Sequence, residues 1–276
     1  MPVRERRFTD RPQFVLTLPA SPVTGVGRTL SALVSLAFFL LASPSVPGQV
    51  NEVRLGPGTQ LTLSSGTTHD GSCADVFVEG QLRVEGGQLL RVRNLTLQPG
   101  GLIVLAGGAI ELSGRWHNAG GTFQASAGVV RFRVDPACPA LPRIDGSNTF
   151  FDLEFIATTP ARLELEAGNT QRVLGQLTLL GPGSGGFLAV ESTLPGSFAN
   201  LDLAPGGSQN INHVAVSHVA ATGQWLAPNS QNAPGAGPAP RWFQMPVPTL
   251  AWPSVLLLGL LLVALAAVAK PRHGVG

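Results

Sequence analysis

Short apolar alternations, each ended by Gly, Pro, Asn or Asp, recur from residue 50 to 225 and limit this fold more than any other feature. VFV at 76–78, LRV at 82–84, LTL at 95–97 and IEL at 110–112 open the series. VVRFRV at 129–134, FFDLEF at 150–155, LEL at 163–165 and LTLL at 177–180 continue it, followed by FLAV at 187–190, LDL at 201–203 and INHVAV at 211–216. Period-two runs of this length are strands, and no helical period of usable length separates them, so a βαβ architecture is excluded. Strands spaced in this way fit a sandwich or a coil-stacking solenoid.

Internal repetition decides between those two. EGQLRVEGG at 79–87 is echoed by LGQLTLLG at 174–181, and NLTLQPGG at 94–101 by NLDLAPGG at 200–207. Strand, glycine corner and strand recurring about every 20 residues is the pattern of a parallel β-helix. Each coil buries Leu, Val and Phe against its neighbours, while Gly or Asn takes corners of positive φ. The expected fold is therefore all-β.

Composition agrees. Gly 34 and Pro 23 in 276 residues are too many for a helical bundle, and Lys270 is the only lysine. Charged residues make up 12%, about half the share of an ordinary globular domain. The net charge of +2 mixes unlike regions: Arg4, Arg6, Arg7, Arg11 and Arg28 precede residue 29, and Lys270 and Arg272 close the chain. Residues 49–249 hold 11 Arg against 14 Asp and Glu. That mildly acidic body has no basic patch, so nucleic acid is not an expected partner.

Both ends are apolar, for different reasons. LSALVSLAFFLLA at 30–42 follows Arg28 and precedes SPSVPGQ, the layout of a secretory signal and too short for a comfortable membrane span. Residues 1–48 are read as an N-terminal extension and signal peptide, with cleavage near Ser45 or Gly48. LAWPSVLLLGLLLVALAAVA at 250–269 is uncharged and 20 residues long, enough to cross a bilayer as one helix. Trp252 suits the membrane interface, and Lys270 with Arg272 forms a basic stop-transfer that keeps this end cytoplasmic. Residues 49–226 are expected to be the β-helix body. APNSQNAPGAGPAP at 227–240 lacks an apolar period, so 227–246 is expected to be a linker, with 247–276 the C-terminal segment.

Val247, Pro248, Thr249, Leu250 and Trp252, followed by the apolar helix and basic tail, resemble the tripartite IPTL-CTERM sorting signal of proteobacterial surface proteins. That signal reads Ile-Pro-Thr-Leu-x-x-Trp; here Val replaces Ile, and Trp comes one residue early, before Pro253 rather than Gly. The resemblance implies export through the translocon and recognition by an exosortase-type membrane transpeptidase. The alternative is a plain membrane anchor.

The body carries a second resemblance over roughly 70–230. RWHNAGGTF at 115–123 with GVVRF at 128–132 is similar to the W-x-N-x-G-x-F and G-x-V-x-F unit of bacterial β-helix surface proteins, and NTFFDLEF at 148–155 to their N-x-F-x-x-L-x-F unit. It implies a right-handed parallel β-helix on the surface of a Gram-negative bacterium or in its matrix. The implied role is structural or adhesive, without enzymatic activity, with extracellular polysaccharide as a partner. The alternative is a β-helical polysaccharide lyase or glycosidase.

Chemistry-bearing residues are few. Cys73 and Cys138, an even pair in an oxidising compartment, are expected to form a disulfide rather than remain free thiols. GPGSGG at 181–186 satisfies GxGxxG, but the strand-like FLAV that follows offers no helix N-terminus to a phosphate. His213 and His218, five apart on a strand, would face opposite ways, and His69 and His117 are isolated, so no metal site is expected. No cofactor is implied. Asp152 with Glu154, and Glu164 with Glu166, pair carboxylates on a shared strand face, with Phe151, Leu153, Phe155, Leu163 and Leu165 as the inward set. Arg131 and Arg133 would stand outward one coil earlier. A charge ladder across coils is the expected role, and no catalytic residue is assigned.

Overall fold

The computed structural model describes residues 51–183 and 185–243, and these form a parallel β-solenoid of about nine turns. No helix occurs among them, and none is long and apolar enough to cross a membrane. The apolar segments at 30–42 and 250–269 lie outside the described residues.

Three faces define each coil. Face I stacks nine strands: Glu52–Leu55, Asp75–Val78, Asn94–Leu97, Arg115–Asn118, Arg143–Asp145, Ala161–Leu165, Leu188–Ser192, Val214–Ser217 and Ala233–Pro234. Face II begins with Gln60–Ser64 and Gln81–Glu85, and continues later with Asn148–Phe150, Thr170–Val173, Ala199–Leu203 and Val219–Ala221. Face III holds Thr68–Asp70, Gln88–Val92, Asp152–Ile156, Gln176–Leu180 and Ser208–Asn212. Two long strands, Leu102–Leu112 and Thr122–Arg133, serve both faces: Leu102 to Leu105 extends face II and Ala109 to Leu112 extends face III. Every named strand pairing is parallel, and coil length runs from 18 residues (Val216 to Pro234) to 32 (Gln176 to Ser208).

Alternation follows from this register. Along face I, Val76, Leu95, Trp116, Ile144 and Leu165 follow one another in register, inward and buried, and Leu163 pairs with Val190 beside them. Face III contributes Ile110, Val130, Leu153 and Leu177, and beside them Leu112, Phe132, Phe155 and Leu179. Identical strand positions therefore meet like with like, and the core is a stack of apolar layers that no coil could bury alone. Trp116, Phe123 and Phe150 thicken it at the middle coils, with ring centroids 4.8 and 5.5 Å apart.

Corners explain where the sequence pattern and the coil diverge. Gly108, at φ +75, turns the long strand between faces, and a Cβ there would strike the Gly87 carbonyl of the coil before. Only glycine allows both the conformation and that backbone approach. His213 and His218 also sit at positive φ, 55 in each case, at the two ends of Val214–Ser217. They are corner residues and not two sides of one strand, which corrects the orientation drawn from their spacing. Histidine tolerates the left-handed region better than most residues do. Phe151 likewise occupies a corner and is half-buried, while Phe150 is the buried ring.

The expected linker also needs correction over 227–243. Ala233–Pro234 pairs with Ala215 and Val216, and Leu226 bridges Trp242 in parallel register. Leu226, Ala227 and Trp242 are buried. Asn229 and Asn232 both donate from Nδ2 to the Ile211 carbonyl, at 2.9 and 3.0 Å, on the outermost strand of face III. The segment is a last irregular coil held by amides and carbonyls, so it shows no apolar period.

Candidate functional site

The outer faces carry almost all of the charged chemistry. Ten of the eleven described arginines lie within 4.0 Å of a carboxylate. Arg241 instead donates to the carbonyls of Thr222 and Gly223, at 3.1 and 2.6 Å.

On face III, the register places Glu111, Arg131, Glu154, Thr178 and Asn210 side by side on successive coils. Glu154 Oε1 accepts from Arg131 Nε and Arg133 Nη2, both at 2.7 Å. Arg133 also lies 3.6 Å from Glu111. Asp152 turns away, its Oδ1 accepting from the Gln176 backbone N–H at 2.6 Å. Val129, Arg131, Asp152, Leu153, Glu154, Gln176 and Thr178 line a depression of about 210 Å³, smaller than the roughly 300–1,000 Å³ of small-molecule pockets.

Face I carries a second column, Arg115, Arg143, Glu164 and Glu191, again in strict register. Asp145 has a fully buried side chain and accepts from Nε of both Arg115 and Arg143, the latter at 2.6 Å. Arg162 spans the acidic half, 3.3 Å from Glu164 and 3.4 Å from Glu191. Glu166 does not continue the Glu164 strand: its Oε2 closes a corner by accepting from Gly146 N–H and Asn169 Nδ2, both at 2.7 Å. The two sequence-level carboxylate pairs are thus each divided between different jobs.

Burial sets the electrostatics. His117, beside Asp145 in register, is held below the ordinary imidazole value of 6.5, first by desolvation and then by the Arg115 charge. Burial pushes the Asp75 carboxyl up, but Arg93 and Asn94 donating to it outweigh that and bring it below 3.8. Arg93 grips Asp75 through two bonds of 2.8 and 2.6 Å, which raises the guanidinium value further.

Inside the coil, sequence reasoning missed a polar network. Trp116 Nε1 donates to Asn148 Oδ1 at 3.0 Å; Asn148 Nδ2 donates to Gln171 Oε1 at 2.9 Å; Gln171 Nε2 donates to the Gly146 carbonyl at 2.8 Å. All three side chains are buried. Their in-register positions, Asn148 opposite Gln171, were readable only once the strand pairing was known.

Cys73 and Cys138 form a disulfide with Cα atoms 5.5 Å apart, tying the loop after Arg133 back to the corner before Asp75. Arg91 adds a contact to Asp135 at 3.8 Å in the same loop. Among the described residues no cluster of His, Cys, Asp and Glu can hold a metal ion. The glycine-rich loop at 181–186 is followed by the strand Leu188–Ser192. Val247, Pro248, Thr249, Leu250, Trp252, Lys270 and Arg272 lie outside the described residues. No family model, no curated protein and no solved structure matches the chain.

Proposed function

We propose that this chain is an exported bacterial cell-surface protein. Its solenoid serves as a structural or adhesive element, and its C-terminal segment is a sorting signal for an exosortase-type transpeptidase. The observation that carries the non-enzymatic part is the commitment of the charged side chains. Glu154 is shared by two arginines, Asp152 is tied to a backbone N–H, and Asp145 is buried beneath two guanidiniums. Carboxylates spent on joining coils are poor candidates for general acid and base, which need a free proton site within reach of a substrate.

Export is supported by the Cys73–Cys138 bond, since disulfides persist in oxidising compartments, and by the signal-like run at 30–42. Sorting rests on Val247 to Leu250 with Trp252 and on the basic Lys270 and Arg272. The coil is taken as right-handed, because parallel crossovers within one sheet are right-handed in roughly 98% of cases.

Intact-mass measurement of the protein recovered from cell surface and medium tests this reading. A mature C-terminus between Val247 and Trp252 is expected; a retained Lys270 replaces sorting by simple anchoring. Cleavage of uronic-acid polymers by the purified protein, lost in Asp152→Asn, would replace the structural role by a lyase or glycosidase.

A further inference from the structure

On face III, three successive coils set out a small grid of outward side chains. Register aligns Val129 with Asp152, Arg131 with Glu154, and Glu154 with Thr178. Gln176 extends the first column, since Leu153 pairs with Leu177. Strands about 4.8 Å apart, with alternate residues about 6.6 Å apart, give the grid a footprint of about 10 by 7 Å. The depression of about 210 Å³ lies on this grid and is lined by all six residues.

Much of the polar capacity here is uncommitted. Glu154 accepts both guanidiniums through Oε1, which leaves its Oε2. Asp152 accepts the Gln176 backbone N–H through Oδ1, which leaves its Oδ2. Arg131 gives Nε to Glu154 and keeps its Nη groups. Thr178 carries the argument furthest. It stands in the outward column between Glu154 and Asn210, yet it is only 8% exposed, and its hydroxyl bonds to no described residue. Polar atoms on side chains so buried are ordinarily bonded. The depression is the opening through which this hydroxyl can find a partner.

The lining thus offers donors and acceptors side by side on a rigid sheet, next to the aliphatic surface of Val129 and Leu153. Two carboxylates against one guanidinium disfavour an anionic ligand. A ring with several neighbouring hydroxyls, each both donor and acceptor, and with C–H faces between them, matches this set. We propose that the depression is a non-catalytic binding subsite for one neutral sugar residue, with Thr178 as its buried hydroxyl anchor. The proposal rests on the surface-protein reading given above and supplies its adhesive role with a ligand class. The carboxylates stay bonded to their neighbours, so the ring is held and not cleaved.

Saturation-transfer NMR on the purified full-length chain, in a phosphocholine detergent that carries no sugar head group, tests this. The probes are glucose, galactose and mannose, with glucuronate and galacturonate as their charged counterparts. At least one neutral hexose is expected to bind with a dissociation constant on the order of 1–10 mM, the scale for so small a ligand. The uronates are expected to bind at least about threefold more weakly. Thr178→Val removes the hydroxyl at nearly constant volume and is expected to weaken binding about three- to tenfold, the worth of one hydrogen bond, without lowering the urea midpoint. Asn210→Ala, the next position of the same column and outside the depression, should leave binding unchanged. No transfer to any neutral hexose, tighter binding of a uronate, unchanged binding in Thr178→Val, or an equal loss in Asn210→Ala each overturns the proposal. If Thr178→Val fails to fold, Gln176→Ala, an exposed change at the edge of the grid, decides by the same criterion. Export and sorting, read separately by mass, are not moved by any of these outcomes.

Discussion

Asn148→Leu probes the polar network in the core. Asn148 is 5% exposed, and it is the only side chain joining Trp116 Nε1 to Gln171 Oε1. Leucine is apolar and somewhat larger, so no cavity forms, yet the indole N–H and the Gln171 oxygen both lose their partners. Gln171 keeps its bond to the Gly146 carbonyl, so its amide cannot rotate freely to recover. Leaving a buried polar group unsatisfied costs about 1–3 kcal/mol. Two such groups, less the added apolar burial, give a loss of about 3 kcal/mol. In urea, at an m of about 2–3 kcal/mol/M, the midpoint falls by about 1–1.5 M. The assay is urea unfolding followed by tryptophan fluorescence and far-ultraviolet circular dichroism, with coincident transitions required. Trp116→Phe removes the donor and retains the ring stack on Phe123 and Phe150. The double variant should then cost less than the sum of the singles by at least about 1 kcal/mol. Additive costs, or an Asn148→Leu midpoint within 0.2 M of wild type (roughly 0.5 kcal/mol), would refute the reasoning.

Other perturbations address the clip, the titrating face and the corners. Replacing both Cys73 and Cys138 with Ser opens a loop of 65 residues, and chain entropy sets the loss at about 4 kcal/mol at most, read as a urea midpoint that no longer responds to reductant. His117 has a depressed folded-state value, so the unfolded chain binds its proton more readily. Stability should therefore fall as pH drops below 6.5 towards the folded value, and His117→Asn should flatten urea midpoints between pH 7.5 and 5.5. Gly108→Ala forces a Cβ into the Gly87 carbonyl at positive φ and should lower stability by more than about 2 kcal/mol. Gly100→Ala, also at positive φ but with open space around it, should cost about 1 kcal/mol, and equal thermal shifts for the two would remove the stacking argument.

The coil itself was legible because period-two alternation and glycine corners are local. What alternation cannot report is which face a strand occupies. NLTL at 94–97 lies on face I, whereas its echo NLDL at 200–203 belongs to a face II strand. Likewise GQLRV at 80–84 leads into face II and GQLTL at 175–179 into face III. All three faces bury the same residue types, so similar sequence marks a similar strand rather than the same place in the turn. His213 and His218 were misread for a related reason. A left-handed corner occupied by a side chain carries no glycine to mark it, and the two histidines interrupt an alternation that otherwise runs on. The charge ladder was anticipated on face III from Asp152, Glu154, Arg131 and Arg133, but Asp152 left it for a backbone N–H.

The final coil shows why composition alone misleads at a solenoid's end. An inner coil must bury apolar residues on both sides, so its sequence alternates. A terminal coil has one side to cover and a row of unpaired backbone groups to satisfy, and exposed strand edges invite further pairing. Asn229 and Asn232 donate to the Ile211 carbonyl, Gln209 Nε2 donates to the Trp225 carbonyl, and the Ala227 N–H donates back to Gln209 Oε1. Trp242 supplies the apolar lid, and Arg241 lies 5.7 Å from the Trp225 ring centre. A segment that does this work needs amides, carbonyls and tight turns, which is the composition of a flexible tether. The distinction lies in the partners, because a tether solvates its amides and a cap spends them on the edge strand.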